Sequence, residues 1–127
     1  MSMLKAFTTQ LKNLIIELSE VLPYNHEVSV NKTTIELLIR TNPRLVLNAF
    51  NTYILPFKQQ IIDCDDNFFL SSEINETESI NKQLVGTLNI LRNYWSSLTD
   101  STKKSVWLYF AVLIKLSERI SSIENAV

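Results

Sequence analysis

A chain of 127 residues with 46% hydrophobic and 20% charged residues suits one globular domain around a single core. One Gly and three Pro leave too few turn residues for hairpins, sandwiches or barrels, and too few glycines for a phosphate-cradling loop. With 12 Lys and Arg against 13 Asp and Glu the formal net charge is −1, so there is no electrostatic case for sequence-independent nucleic-acid binding.

The first segment repeats apolar residues at steps of three and four, Leu4, Phe7, Leu11, Leu14, Ile15 and Leu18, and runs as an amphipathic helix until Pro23 ends it. A connection through Tyr24, Asn25 and His26 follows. From Glu27 to Arg40 the β-branched Val28, Val30, Thr33, Thr34 and Ile35 would suit a short strand as well as a helix. Ile35, Leu38 and Ile39 restore the helical step, and a lone strand would have no partner, so a second helix is expected. Asn42-Pro43 marks the next boundary, with Asn42 as cap and Pro43 at a first-turn position that needs no amide donor. The third helix passes Leu45, Val46, Phe50, Tyr53 and Ile54 and meets Pro56, where a bend is expected in preference to a full stop.

After Ile62 the composition turns acidic, with Asp63, Asp65, Asp66, Glu73, Glu76 and Glu78 and no Lys or Arg. Residues 63–78 are therefore expected as a long loop, pinned at its middle by Phe68, Phe69 and Leu70. A fourth helix is expected over about Thr77 to Leu98. It carries Gly86 inside, at about 1 kcal/mol relative to Ala, which a close helix crossing would explain. Thr99, Asp100 or Ser101 then caps a last helix, and the two form a helical hairpin. That last helix is apolar on every side from Val106 to Ile114. It is too short an apolar run for the roughly 20 residues a bilayer needs, so it is placed at the centre of the bundle. Only the tail from Glu124 is expected to fray. The expected fold is thus all-α, a single domain over residues 1–127 with five helices, or six if Pro56 divides one.

No constellation of side chains supplies chemistry. The cluster Asp63-Cys64-Asp65-Asp66 lacks the alternating ligands, turn glycine and distal Glu of a calcium loop. Its carboxylates are expected either to cap the next segment in solvent or to present charge to a basic partner. Cys64, the only cysteine, lies beside three carboxylates whose like charge disfavours a thiolate nucleophile, and is expected as a small core-facing or boundary residue. His26, the only histidine, has no second ligand for zinc and no adjacent serine. No catalytic residue, metal or cofactor is expected. The aromatics Tyr94, Trp95, Trp107, Tyr109 and Phe110 are read as core, because stacking platforms for bases want interleaved Lys or Arg. The lone cysteine and the absence of a signal-like N-terminus suggest an intracellular setting. There the acceptor tripeptides at Asn31 and Asn75 would go unused.

Three stretches, Ile54-Leu55-Pro56-Phe57-Lys58, Asp65-Asp66-Asn67-Phe68-Phe69-Leu70, and Tyr94-Trp95-Ser96-Ser97-Leu98 leading into Val106-Trp107-Leu108-Tyr109-Phe110, carry a resemblance over the C-terminal two thirds. They resemble a group of short helical proteins of large nucleocytoplasmic DNA viruses. The resemblance implies a protein made in an infected cell, located in host cytoplasm or virion, and acting by contact. Such viruses also carry helical domains that imitate host regulators of cell death, with a groove for a partner helix, although the Asn-Trp-Gly-Arg groove signature is absent here.

The functional expectation is a non-enzymatic interaction or structural protein that buries an apolar helix face or groove against a protein partner or a second copy. Asp63, Asp65, Asp66, Phe68 and Phe69 are the candidate contact residues. A cell-death or signalling regulator with a helix-binding groove is the alternative. A nucleic-acid-associated factor ranks below both.

Overall fold

Side-chain caps and prolines decide where the helices start and stop. In the computed structural model, which describes residues 2–71 and 82–125, Ser2 Oγ accepts from the Lys5 amide and opens α1 (Met3–Val21). Asn25 Oδ1 accepts from the Val28 amide and opens α2 (His26–Thr41), which takes His26 into the helix. Asn42 Oδ1 accepts from the Leu45 amide and opens α3 (Pro43–Tyr53), with Pro43 in the first turn. The strand-like residues of α2 sit in the helix without conflict. The Thr33 and Thr34 hydroxyls donate to the carbonyls of Ser29 and Val30 one turn back.

Pro56 divides the third helical segment instead of bending it. α3 ends at Tyr53, a single 3-10 turn spans Leu55–Phe57, and the short α4 (Lys58–Ile62) follows. The expected acidic loop is also interrupted, because α5 (Asn67–Ser71) forms inside it. Next come α6 (Lys82–Tyr94), a 3-10 turn at Trp95–Ser97, and α7 (Asp100–Asn125), whose first turn Thr99 Oγ1 caps by accepting from the Thr102 amide. The described residues thus hold seven α-helices, one more than the larger count expected from the sequence. The expected helix start at Thr77, the carboxylates of Glu73, Glu76 and Glu78, and the tripeptide at Asn75 lie outside the described residues.

The closest helix pairs are α1 with α7, α1 with α2, and α2 with α6. The expected hairpin of α6 and α7 is replaced by this arrangement, in which α6 lies on α2 and α5. An aromatic wedge fills this end of the core: Phe69 of α5 packs on both Trp95 and Trp107, at ring-centroid distances of 4.5 and 4.9 Å, and the two indoles also touch each other edge to face at 5.4 Å. Phe68 reaches Phe110 at 6.2 Å and Phe57 at 5.4 Å, so the wedge continues to the turn at Pro56. On the other side of the core Phe7 meets Phe50 edge to face at 5.1 Å.

Gly86 lies where α6 crosses α2, as its presence inside a helix suggested. A Cβ there would stand 3.2 Å from Asn31 Nδ2, while Asn31 Oδ1 accepts a 2.8 Å hydrogen bond from Thr87 Oγ1. This buried polar pair fixes the register of the crossing. It also closes Asn31 to glycosylation in the folded chain, because the side chain is spent inside. Of the tail expected to fray, Glu124 and Asn125 continue α7, and the Glu124 carboxylate takes both guanidinium nitrogens of Arg44 at 2.6 and 3.0 Å and ties α7 to α3, while Ala126 and Val127 lie outside the described residues. That contact raises the Arg44 guanidinium above its already high ordinary value, first through the hydrogen bond and then through charge.

Candidate functional site

The carboxylates singled out in the sequence form the joint between α4 and α5. The Asp65 amide donates to Gln60 O and the Cys64 amide to Ile61 O, the paired bonds of a Schellman ending, and Cys64 takes the left-handed conformation with φ 53°. An L residue is uncomfortable there, by about 1–2 kcal/mol, and Cys64 is exposed instead of lying at the core boundary. Asp65 Oδ1 accepts from the Asn67 amide and starts α5, and Asp63 is held by Gln59 Nε2. Capping in solvent, the plainer of the two sequence readings, describes this geometry.

Phe68 and Phe69 are buried at 1% and 2% relative exposure. Of the five candidate contact residues, Asp63 and Asp66 are therefore exposed, Asp65 is half-buried, and the two rings belong to the core. Among the described residues no three His, Cys, Asp or Glu side chains converge to hold a metal ion, and no helix is long and apolar enough to cross a membrane.

Sequence patterning did not show that α7 has two unlike sides. Val106, Trp107, Phe110, Leu113 and Ile114 are buried as expected, but Leu108 is 59% exposed and Val112 is 40% exposed. The stretch from Val106 to Ile114 is therefore open along one edge and not enclosed on every side. Its composition concealed this, because a helix with apolar residues all round carries no period that marks the outer face.

Leu108 stands as a ridge between two hollows. On one side a groove of ≈ 600 Å³ runs between α7 and the α4–α5 corner, with Ile61, Ile62, Trp107, Leu108 and Ala111 as its apolar surface. Ile62 is 52% exposed there. Cys64 and Asp100 with Lys103, Lys104 and Lys115 complete the rim. On the other side a hollow of ≈ 280 Å³ lies against α1, where Val112 and Tyr109 face Gln10 and Glu17. Glu17 Oε2 is buried there without a hydrogen-bond partner among the described residues. Burial, followed by the carboxylates of Glu17 and Glu20, raises the Tyr109 phenol above its ordinary value.

The basic side chains around the groove are unequal. Lys103 Nζ lies 5.6 Å over the Trp95 ring, a cation–π contact, and Lys58 spends its charge on Glu118 at 2.7 Å. Lys104, Lys115 and Arg119 make no ion pair with the described residues. Scans against known protein families, characterised proteins and solved structures each return no match to the chain.

Proposed function

We propose that the chain is a non-enzymatic protein-interaction module that uses the outer face of α7 and the adjoining groove. One observation carries the reading: Ile62 of α4 and Leu108 of α7 stand in solvent along a ≈ 600 Å³ groove, and Val112 of α7 stands exposed on the other side of Leu108. Scattered single exposures are ordinary, but an apolar strip edged by charge is how a buried interface centre with a polar rim is built. Asp63, Asp65 and Asp66 flank Cys64, which lines the groove, and would give the contact a charge preference. Origin in a large DNA virus, as virion component or host-interacting factor, is a setting compatible with this role and adds no residue to it.

A groove for an amphipathic helix, as in regulators of cell death or signalling, uses the same surface and differs only in the occupant. A nucleic-acid role draws less support, because the groove's lysines share its rim with Asp100 on a chain whose formal net charge is −1.

The test is a photo-crosslinking side chain placed at Leu108, with the equally exposed Leu37 on α2 as control. A discrete protein adduct from position 108 and none from position 37 is the expected result. Equal or absent adducts at both positions would remove the basis for the reading.

A further inference from the structure

The groove between α7 and the α4–α5 corner carries a local charge opposite to that of the chain. Its lining holds Lys103, Lys104 and Lys115 against the single carboxylate of Asp100, on a chain with a formal net charge of −1. Asp63, Asp65 and Asp66 flank Cys64 and do not line it. On the α7 wall, Lys104, Leu108, Ala111 and Lys115 recur at steps of four, three and four, so they form one stripe with a cation at each end and apolar surface between. The two lysines are eleven positions apart, about 16 Å along the helix.

The two cationic ends are not equivalent. Asp100 stands one helical turn from Lys104, and Lys103 lies over the Trp95 ring, so the charge at that end is opposed or already engaged. At the far end the lining holds Lys115 alone. Arg119 follows one turn on, and the carboxylate of the intervening Glu118 is held by Lys58 at 2.7 Å. Neither Lys115 nor Arg119 makes an ion pair with the described residues. This end therefore offers uncompensated positive charge to an anion.

An occupant that suits this lining brings one negative group and a long apolar body. A cation is repelled, and a ligand rich in hydroxyls would leave them unpaired against Ile61, Ile62, Trp107, Leu108 and Ala111. The volume of ≈ 600 Å³ lies within the roughly 300–1,000 Å³ of small-molecule sites. We propose that the groove binds a single-chain anionic amphiphile, a long-chain carboxylate, with its head on Lys115 and its tail laid over Ala111, Leu108 and Trp107. This goes beyond the interaction role given above. Such a tail covers Ile62 and one flank of Leu108 and leaves Val112 open, so it competes with a protein partner for the groove.

Trp107 in the groove supplies the readout. Tryptophan fluorescence of the full chain is titrated with a bromine-bearing long-chain fatty acid below its micelle concentration, because bromine quenches an indole only at close contact. Saturable quenching at one equivalent is expected. The brominated alcohol of equal length lacks the charge and is expected to bind at least about tenfold more weakly. Lys115→Glu is expected to weaken the carboxylate by about tenfold or more and to leave the alcohol unchanged, a split that misfolding cannot produce. Lys115→Arg is expected to keep carboxylate binding. Ala111→Phe fills the groove and is expected to weaken both amphiphiles by about tenfold.

Carboxylate and alcohol bound alike, or carboxylate binding unmoved by Lys115→Glu, would overturn the inference. So would quenching that never saturates, or quenching by vesicles of brominated phosphatidylserine with none by the free acid, which would make the ligand a membrane surface. If no amphiphile quenches and position 108 still crosslinks to a protein, this inference falls and the interaction role stands. Saturable carboxylate binding with no adduct at 108 upholds the inference and removes that role.

Discussion

The two sides of α7 have nearly the same composition and opposite surroundings. Toward the core, Trp107 and Phe110 meet the Phe69 wedge and Val106, Leu113 and Ile114 are shut away from water. Toward the outside, Leu108 and Val112 are equally apolar and stand uncovered. The inner side shows what this chain does with aliphatic and aromatic surface when it can cover it. The uncovered outer side is the feature on which the proposed interaction role rests.

The sharpest separation of the two sides comes from truncation inside. Phe69→Ala removes the ring shared by Trp95, Trp107 and Phe110 and is expected to cost about 3–5 kcal/mol in urea unfolding. A loss below about 1 kcal/mol would mean that the wedge does not set the inner side. At the crossing of α2 and α6, Thr87→Val keeps the shape but removes the donor to Asn31 Oδ1. A loss of about 1–3 kcal/mol is expected by the same measurement. A neutral outcome would show that the buried polar pair is not what holds that crossing.

The outer wall should behave in the opposite sense. Cys64→Gly relieves the left-handed residue at the end of α4 and is expected to stabilise the chain by about 1 kcal/mol, which thermal unfolding can read. The smallest effect lies at the border between the two sides. Burial and the carboxylates of Glu17 and Glu20 raise the Tyr109 phenol above 10.0, so the folded state keeps that proton longer than the unfolded chain does. The associated stability is complete below about pH 10 and is lost as pH rises through the higher folded value. Tyr109→Phe should flatten that alkaline decline. The difference in tyrosinate absorbance between the two proteins should titrate later in the folded state than in urea.

Much of the architecture could be read locally. The α1 stripe, the Asn42-Pro43 boundary, the cap at Thr99 and the crossing implied by Gly86 all depend on residues within a turn or two of each other. What escaped depends on long-range geometry. A five-residue helix such as α5 is too short to show a hydrophobic period, so Phe68 and Phe69 read as pins on a loop and not as a helical wedge packed on Trp95, Trp107 and Phe110. Pro56 marked a break, but whether a proline bends or divides a helix is decided by the 3-10 turn that the surrounding packing accepts. For the candidate site, the acidic corner was legible from composition. The open edge of α7 was not, since only the placement of α1 and α4 around that helix leaves Leu108 uncovered.

Leu108→Glu separates folding from association in a single chain. Measured by urea unfolding in dilute solution, its stability is expected to lie within about 0.5 kcal/mol of wild type, while binding through this face is weakened. A fall of several kcal/mol in dilute solution would place Leu108 in the core and contradict the assignment of the outer side of α7 to a partner.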